Sequence, residues 1–195
     1  MQNPQDIVKT LSFGSDAKDK VFAGIDKLTQ AVSSTLGASG KCVILEDFMG
    51  RPMITKDGVT VANSINLKDP VENIGATLIR EAARKTVSEA GDGTTTAAVL
   101  AHSLIKEANN KETKESLRKI KEDIQKACDS TINYLENIVV PVEGDMIDQV
   151  ATISSNNDKE LGSIIGKAFK QVGKNGTVMM DPDGKTGETT VEVES

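Results

Sequence analysis

Between Ser15 and Leu36 the apolar residues Ala17, Val21, Ile25, Leu28 and Val32 recur at spacings of three and four, which is the stripe of an amphipathic helix with one buried face. Gly37 marks its end, because glycine adopts the left-handed conformation past a helix terminus without steric cost. Cys42 to Leu45 and Pro52 to Thr55 are short apolar runs flanking Glu46 to Arg51, where Gly50 supplies turn chemistry; they predict a β-hairpin packed on the first helix. Asp69, Pro70 and Glu72 combine an N-cap acid, a proline at the first helical position and a capping-box glutamate, so a helix is expected from there to about Ala90. Gly91-Asp92-Gly93 breaks it, and Thr94 to Asn109 resumes as a helix. Its Ala97, Ala98, Val99, Leu100, Ala101 and Leu104 are apolar on nearly all sides, the pattern of a central, buried helix.

The next segment, Lys111 to Ile138, is charged, yet Leu117, Ile120, Ile124, Ile132 and Leu135 keep an apolar stripe through it. Val139-Val140-Pro141-Val142-Glu143-Gly144 is an extended, proline-marked stretch, and a domain boundary is placed there, dividing residues 1–138 from 139–195. Beyond it, Met146 to Ile153 and Lys159 to Val172 read as short helices, and Thr177 to Met180 and Thr189 to Glu194 as strands. The fold class is therefore mainly α: a helical domain with a small β-hairpin, followed by a small α+β segment that is short for independent stability.

Composition narrows the function classes. In 195 residues there are 29 Asp+Glu against 23 Lys+Arg, a formal net charge of -6, and only 3% aromatic residues, so the core is aliphatic. Nucleic acid is an unfavoured partner, because single strands are held by aromatic platforms in a basic groove. No run approaches the ~18 apolar residues that span a bilayer, and Met1 to Asp6 lacks the features of a signal peptide, so no membrane partner and a cytoplasmic location are expected. Cys42 and Cys128 are widely spaced and His102 is the only histidine, which removes zinc sites of the usual Cys/His spacing. Both thiols read as packing residues, and His102 as a packed or hydrogen-bonded side chain.

The most informative stretch is Ala90-Gly91-Asp92-Gly93-Thr94-Thr95-Thr96-Ala97. Three threonines at a helix start give up about 2 kcal/mol of helix propensity relative to alanine. A helix N-terminus offers unpaired N–H groups and the positive end of the dipole, which together bind phosphate. Gly91 and Gly93 would let the backbone approach an anion, the threonine hydroxyls would add donors, and Asp92 would hold a divalent cation bridging phosphate oxygens. The alternative is that Asp92 is an ordinary N-cap and the threonines are spacers. Two further glycine-bearing turns, Thr35 to Lys41 and Ile54 to Thr60, are each weak signals that gain weight as parts of one shared site. There Lys56 could complement phosphate and Asp57 could orient a water.

The motifs Thr35-Leu36-Gly37, Ile54-Thr55-Lys56-Asp57-Gly58-Val59 and Ala90 to Thr96, in this order and approximate spacing, resemble the N-terminal part of group I chaperonins of the GroEL type. So do Val150 to Ser154, followed by Asn156 and Asp158, and Val172 to Gly176. The resemblance covers essentially the whole chain. It implies an equatorial domain, residues 1–138, that binds ATP, Mg2+ and K+ and makes most contacts of a homo-oligomeric ring, followed by the ascending half of an intermediate domain. In the family's pattern Asp92, Gly93, Thr94, Thr95 and Thr96 wrap the phosphates, and Asp92 coordinates Mg2+. Thr35, Leu36, Gly37 and the adjoining Ala38 meet the nucleotide, with Thr35 helping to ligate K+. Lys56 and Gly58 lie beside the phosphates, Asp57 supports hydrolysis as the catalytic residue, and Ile153 and Ser154 sit near the base and ribose.

Departures are local. Ala38 and Ser39 stand where the family usually has proline and lysine, and Asn109 to Thr113 lacks the usual glycine and proline, so the chain looks like a divergent member. Val191 to Ser195 resembles the strand leading into the family's apical domain. The resemblance thus implies a longer protein whose client-binding surface, site for a cochaperonin lid and remaining equatorial half lie beyond Ser195. The implied function is ATP-dependent assistance of protein folding. Two other readings remain: a degenerate paralogue that assembles without hydrolysis, and an unrelated small NTPase or phosphotransferase.

Overall fold

In the computed structural model, residues 11–179 are described, apart from 38, 48, 111–114, 156 and 174. Among them the elements run α1 (Gly14–Ser33), β1 (Val43–Glu46), β2 (Pro52–Thr55), α2 (Gly58–Ser64), α3 (Pro70–Ala90), α4 (Thr94–Asn110), α5 (Leu117–Ile138), α6 (Asp145–Ser154) and α7 (Lys159–Val172). The described residues are mainly helical with one small antiparallel sheet, as the sequence pattern predicts for the first domain. The chain divides into two compact units, Met1–Ser116 and Leu117–Ser195.

In the first unit one aliphatic core joins four helices. Ile25, Leu28 and Val32 of α1 pack with Val61 and Ala62 of α2, Ala76 and Ile79 of α3 and Ala98 of α4. The predicted stripe of α1 is thus the buried one. Asp69 caps α3 through the N–H groups of Val71 and Glu72, with Pro70 in the first turn. Glu72 does not return to the cap; its carboxylate pairs with Lys27 of α1 at 2.5 Å, which ties the two helices together at their rim. The seam between α1 and α3 has no room for side chains at two points. A Cβ at Gly24 would overlap the Glu72 carbonyl oxygen, and a Cβ at Gly75 would overlap that of Val21.

The hairpin pairs Val43 with Thr55, Ile44 with Ile54, Leu45 with Met53 and Glu46 with Pro52. Gly50 has φ +77° in its turn. Val43 and Leu45 turn to the core, while Ile44 and Ile54 lie on the outer face, exposed. Expected to pack on α1, the hairpin lies chiefly against α2, a short helix that the hydrophobic periodicity does not announce. α4 also differs from expectation. It buries Thr94 and Ala98, but Leu100 and Leu104 are 58% and 46% exposed, because α1, α2 and α3 all meet the same face. His102, on the margin of that face, places Nε2 2.6 Å from Asp26 Oδ1 and joins α4 to α1.

In the second unit α6 and α7 pack through small residues. A Cβ at Gly162 would overlap Thr152, and one at Gly166 would overlap Asp148, while Ala151 and Ala168 are buried. Asp158 caps α7 through Glu160 and Leu161. α5 buries none of its residues. Thr177 to Met179 form no strand; Met180 and the expected partner, Thr189 to Glu194, lie outside the described residues.

Replacing Gly24 by alanine tests the seam. Alanine favours the helix by about 1 kcal/mol, whereas overpacking against backbone costs about 1–3 kcal/mol. Because the obstacle is a carbonyl and cannot rotate away, the upper end of that range applies. Gly24→Ala should therefore lose about 1–2 kcal/mol, seen as a lower urea midpoint at unchanged slope. A variant as stable as the parent would show that α1 and α3 stand further apart.

Candidate functional site

The three glycine-bearing turns meet at Thr95. α1 ends at Ser33, and the chain turns so that the Thr35 hydroxyl donates to the Val32 carbonyl at 2.8 Å while its oxygen lies 3.3 Å from Thr95 Oγ1. A hydroxyl has one proton, and that of Thr35 is committed, so Thr95 is the donor between the two. From the other side Gly58, buried at the start of α2, lies so close that a Cβ there would overlap Thr95 Oγ1. Glycine is thus a steric requirement at position 58. Threonine at 95, which spoils the helix slightly, is the hub that links Thr35 to Gly58.

Asp57 is the N-cap of α2. Its carboxylate accepts from the Thr60 hydroxyl at 2.6 Å, the Thr60 N–H at 2.8 Å and the Val59 N–H at 3.4 Å. Burial pushes the Asp57 carboxyl up, but these three hydrogen bonds outweigh it and hold the group below the ordinary carboxylate range. Asp57 is consequently ionised at neutral pH and can accept a further hydrogen bond from water. Lys56, the preceding residue, is exposed.

At the start of α4 the sequence leaves two readings of Asp92, and the geometry separates them. Gly91, at φ +76°, closes α3 by donating its N–H to the Val87 carbonyl at 2.9 Å, and Gly93 follows at φ +87°. Asp92 Oδ1 accepts the N–H of the adjacent Gly93 at 2.6 Å. It does not cap the first turn of α4. The first helical bond runs from the Ala97 N–H to the Gly93 carbonyl, so the N–H groups of Thr94, Thr95 and Thr96 have no intrahelical acceptor. Among the described residues no side chain accepts from them, as is also the case at α1 and α6, whereas α2, α3 and α7 each carry an aspartate that caps the first turn. Of the three threonines Thr94 is buried, Thr95 half-buried and Thr96 exposed.

Leu36 and Gly37 follow Thr35 on an exposed turn, with Gly37 at φ +73°. Ala38 lies outside the described residues. Ile153 and Ser154, exposed at the end of α6, belong to the second unit. Thr35, Gly58 and Thr95 are therefore the site residues brought into direct apposition, with Asp57 and Asp92 flanking them in sequence. The sequence reasoning missed α2, whose signal was the Asp57-x-x-Thr60 cap. A shallow hollow lies along α3, lined by Glu81, Ala82, Arg84, Lys85 and Ser88, and includes none of these site residues.

A mainly helical unit with a small hairpin is the architecture that the sequence motifs anticipate, and comparison with known proteins agrees on the family. Residues 28–190 match the TCP-1/cpn60 chaperonin family, to which this chain belongs. Chaperonin GroEL 1 of Rhodopirellula baltica is 42% identical over 191 residues, 96% of this chain and 33% of that protein. The chain thus spans about a third of the length of that relative. The chaperonin gp146 from the bacteriophage EL 2 (Pseudomonas aeruginosa), solved in the presence of ATP-BeFx, matches with a TM-score of 0.68 at 32% identity, over 81% of this chain and 28% of its own. A group III chaperonin in the open state gives 0.64 at 28% identity, over 80% and 31%.

Two measurements test this geometry. Because its folded pKa lies below the unfolded one, Asp57 contributes stability that is complete above the unfolded value of about 4 and lost as pH falls through the folded value. The stability difference between parent and Asp57→Asn should hold steady above about pH 5 and shrink below about pH 4 in urea melts. A difference unchanged down to pH 3 would remove the hydrogen bonds from the account. Separately, Gly58→Ala should cost about 1–3 kcal/mol, and Thr95→Ala in the same chain should recover part of it, for a coupling of at least about 0.5 kcal/mol. Strict additivity would mean that the two residues do not touch.

Proposed function

We propose that this chain is the nucleotide-binding and ring-forming portion of an ATP-driven folding chaperonin. The observation that carries the proposal is the open first turn of α4: three N–H groups with no partner among the described residues, at the positive end of a 17-residue helix entered through two glycines at positive φ. A similar chaperonin was solved in the presence of ATP-BeFx, which supports a nucleotide as the ligand class. ATP phosphates would lie across the Thr94, Thr95 and Thr96 amides, with the Thr96 hydroxyl and Lys56 as further donors. Family membership leaves the reading as an unrelated phosphotransferase without support.

Asp92 suits Mg2+ in this role. One of its oxygens holds the Gly93 N–H and the other is uncommitted, and Mg2+ is usually bound by one or two carboxylates together with phosphate oxygens and water. The metal's chemistry there would be to neutralise charge developing on the phosphates. Thr35, whose proton is spent on Val32 and whose oxygen accepts from Thr95, keeps one lone pair and would contribute it to a K+ site with the Leu36–Gly37 turn. The ionised Asp57 would orient the attacking water. Ile153 and Ser154 are assigned to the base and ribose by resemblance, as are the equatorial extent of 1–138 and the intermediate segment 139–195; α5 joins the equatorial part on that ground alone. Ring partners would be further copies of the chain. Clients and a cochaperonin lid would engage an apical domain outside these residues, in the cytoplasm.

Asp92→Asn in the full-length protein tests the assignment. An amide is a poor Mg2+ ligand, and a metal's charge stabilisation is worth several kcal/mol, so ATP turnover should fall roughly 100-fold with folding near parental. Turnover at the parental rate would place the metal elsewhere. A parent that assembles but never releases phosphate would establish the assembly-only paralogue instead.

A further inference from the structure

Arg80 is a buried cation that no carboxylate among the described residues accompanies. It lies on α3 at 8% exposure, the one charged side chain among the described residues that are buried. Buried charges are normally paired, because transfer from water into an apolar interior is costly. The partners of Arg80 are carbonyls. Its Nε donates to the Ala62 carbonyl at 2.9 Å and its Nη2 to the Ile65 carbonyl. Both belong to the C-terminal end of α2, Ile65 being its C-cap, where unpaired carbonyls carry the negative end of the helix dipole. The guanidinium fork thus does for the C-terminus of α2 what Asp57 does for the N-terminus.

The length of α2 makes this clasp consequential. At seven residues it is well below the roughly 12–15 needed for even marginal independent helicity, and its Val59, Thr60 and Val61 are β-branched. It persists because both ends are held and because Val61 and Ala62 are buried. Loss of the hold at one end would be felt at the other, about 10 Å away at 1.5 Å per residue. That other end carries Asp57 and the Gly58 that abuts Thr95.

We propose that Arg80 is a positioning residue for the turn at Thr95, clasping the C-terminal carbonyls of α2 so that Asp57 and Gly58 stay seated against the start of α4. The effect on catalysis rests on the nucleotide reading given above; the effect on α2 does not.

The test compares the full-length parent with Arg80→Met, which keeps an apolar stem, and Arg80→Lys, which keeps a cation without the planar fork. Amide hydrogen exchange over residues 58–64, and ATP turnover with Mg2+, are measured on the folded fraction of each. In Arg80→Met the α2 amides should exchange on the order of tenfold faster while those of α1 and α4 hold. The value of kcat should fall by a similar factor with KM for ATP nearly unchanged, and Arg80→Lys should restore part of both. A general structural role would speed exchange in every helix, or lower the folded fraction without altering kcat per folded molecule, and either result would overturn the proposal. Unchanged exchange in α2 would do the same. If the parent itself turned over no ATP, the nucleotide reading would fail and the exchange pattern would still decide the clasp; if Arg80→Met did not fold, Arg80→Lys would decide it at smaller amplitude.

Discussion

The α1–α3 seam sets the geometry on which the rest of the first unit depends. Gly24 and Gly75 each face a carbonyl oxygen of the other helix, so the two backbones touch where side chains would normally keep them apart. Close approach brings Ile25, Leu28 and Val32 of α1 onto Ala76 and Ile79 of α3. Small and large residues interlock there, and the core reaches high density without aromatic rings. Lys27 with Glu72, and Lys20 with Asp69, close the solvent rim of the same contact. Exposed pairs of this kind contribute little energy, and the seam is held by packing.

Everything at the site is carried by elements that this seam orients. Thr35 follows α1 directly, Gly91 to Thr95 follows α3 directly, and α2 lies with Val61 and Ala62 in the core between them. The threonine hub illustrates how local preference yields to tertiary demand. Thr95 weakens its own helix slightly and gains a hydroxyl contact with Thr35 and a steric fit with Gly58. The first turn of α4 goes further, lacking the side-chain acceptor that a Ser, Thr or Asp cap would supply to its amides. Local rules are most often broken at functional positions, and this turn breaks two of them.

The same arrangement explains why α4 is one-sided. Thr94, Ala98, Ala101 and Ile105 face α1, α2 and α3, and Leu100 and Leu104 point away from them into solvent. Ile74 and Leu78 of α3 and the Ile44–Ile54 pair of the hairpin are likewise exposed. A sequence that is apolar on nearly all sides has been given only one apolar neighbour layer here.

The sequence by itself determined the elements whose signals are local. The α1 stripe, the Asp69-Pro70 start of α3, the Gly91 stop, the hairpin about Gly50 and the span of α7 are all written in runs of a few residues, because caps, turns and periodicity act over one or two helical turns. The motifs about Thr35, Asp57 and Asp92 were legible for the same reason. Only the tertiary structure decided that Thr95 is the point where those motifs touch and that Glu72 reaches Lys27 instead of its own cap. It alone produced α2, whose β-branched sequence has weak helical preference and whose ends are secured by Asp57 and by Arg80 from α3. Sequence separations of 18 between Arg80 and Ala62 and 60 between Thr35 and Thr95 lie far outside any local window. Such contacts exist only once a core has formed to bring the segments together.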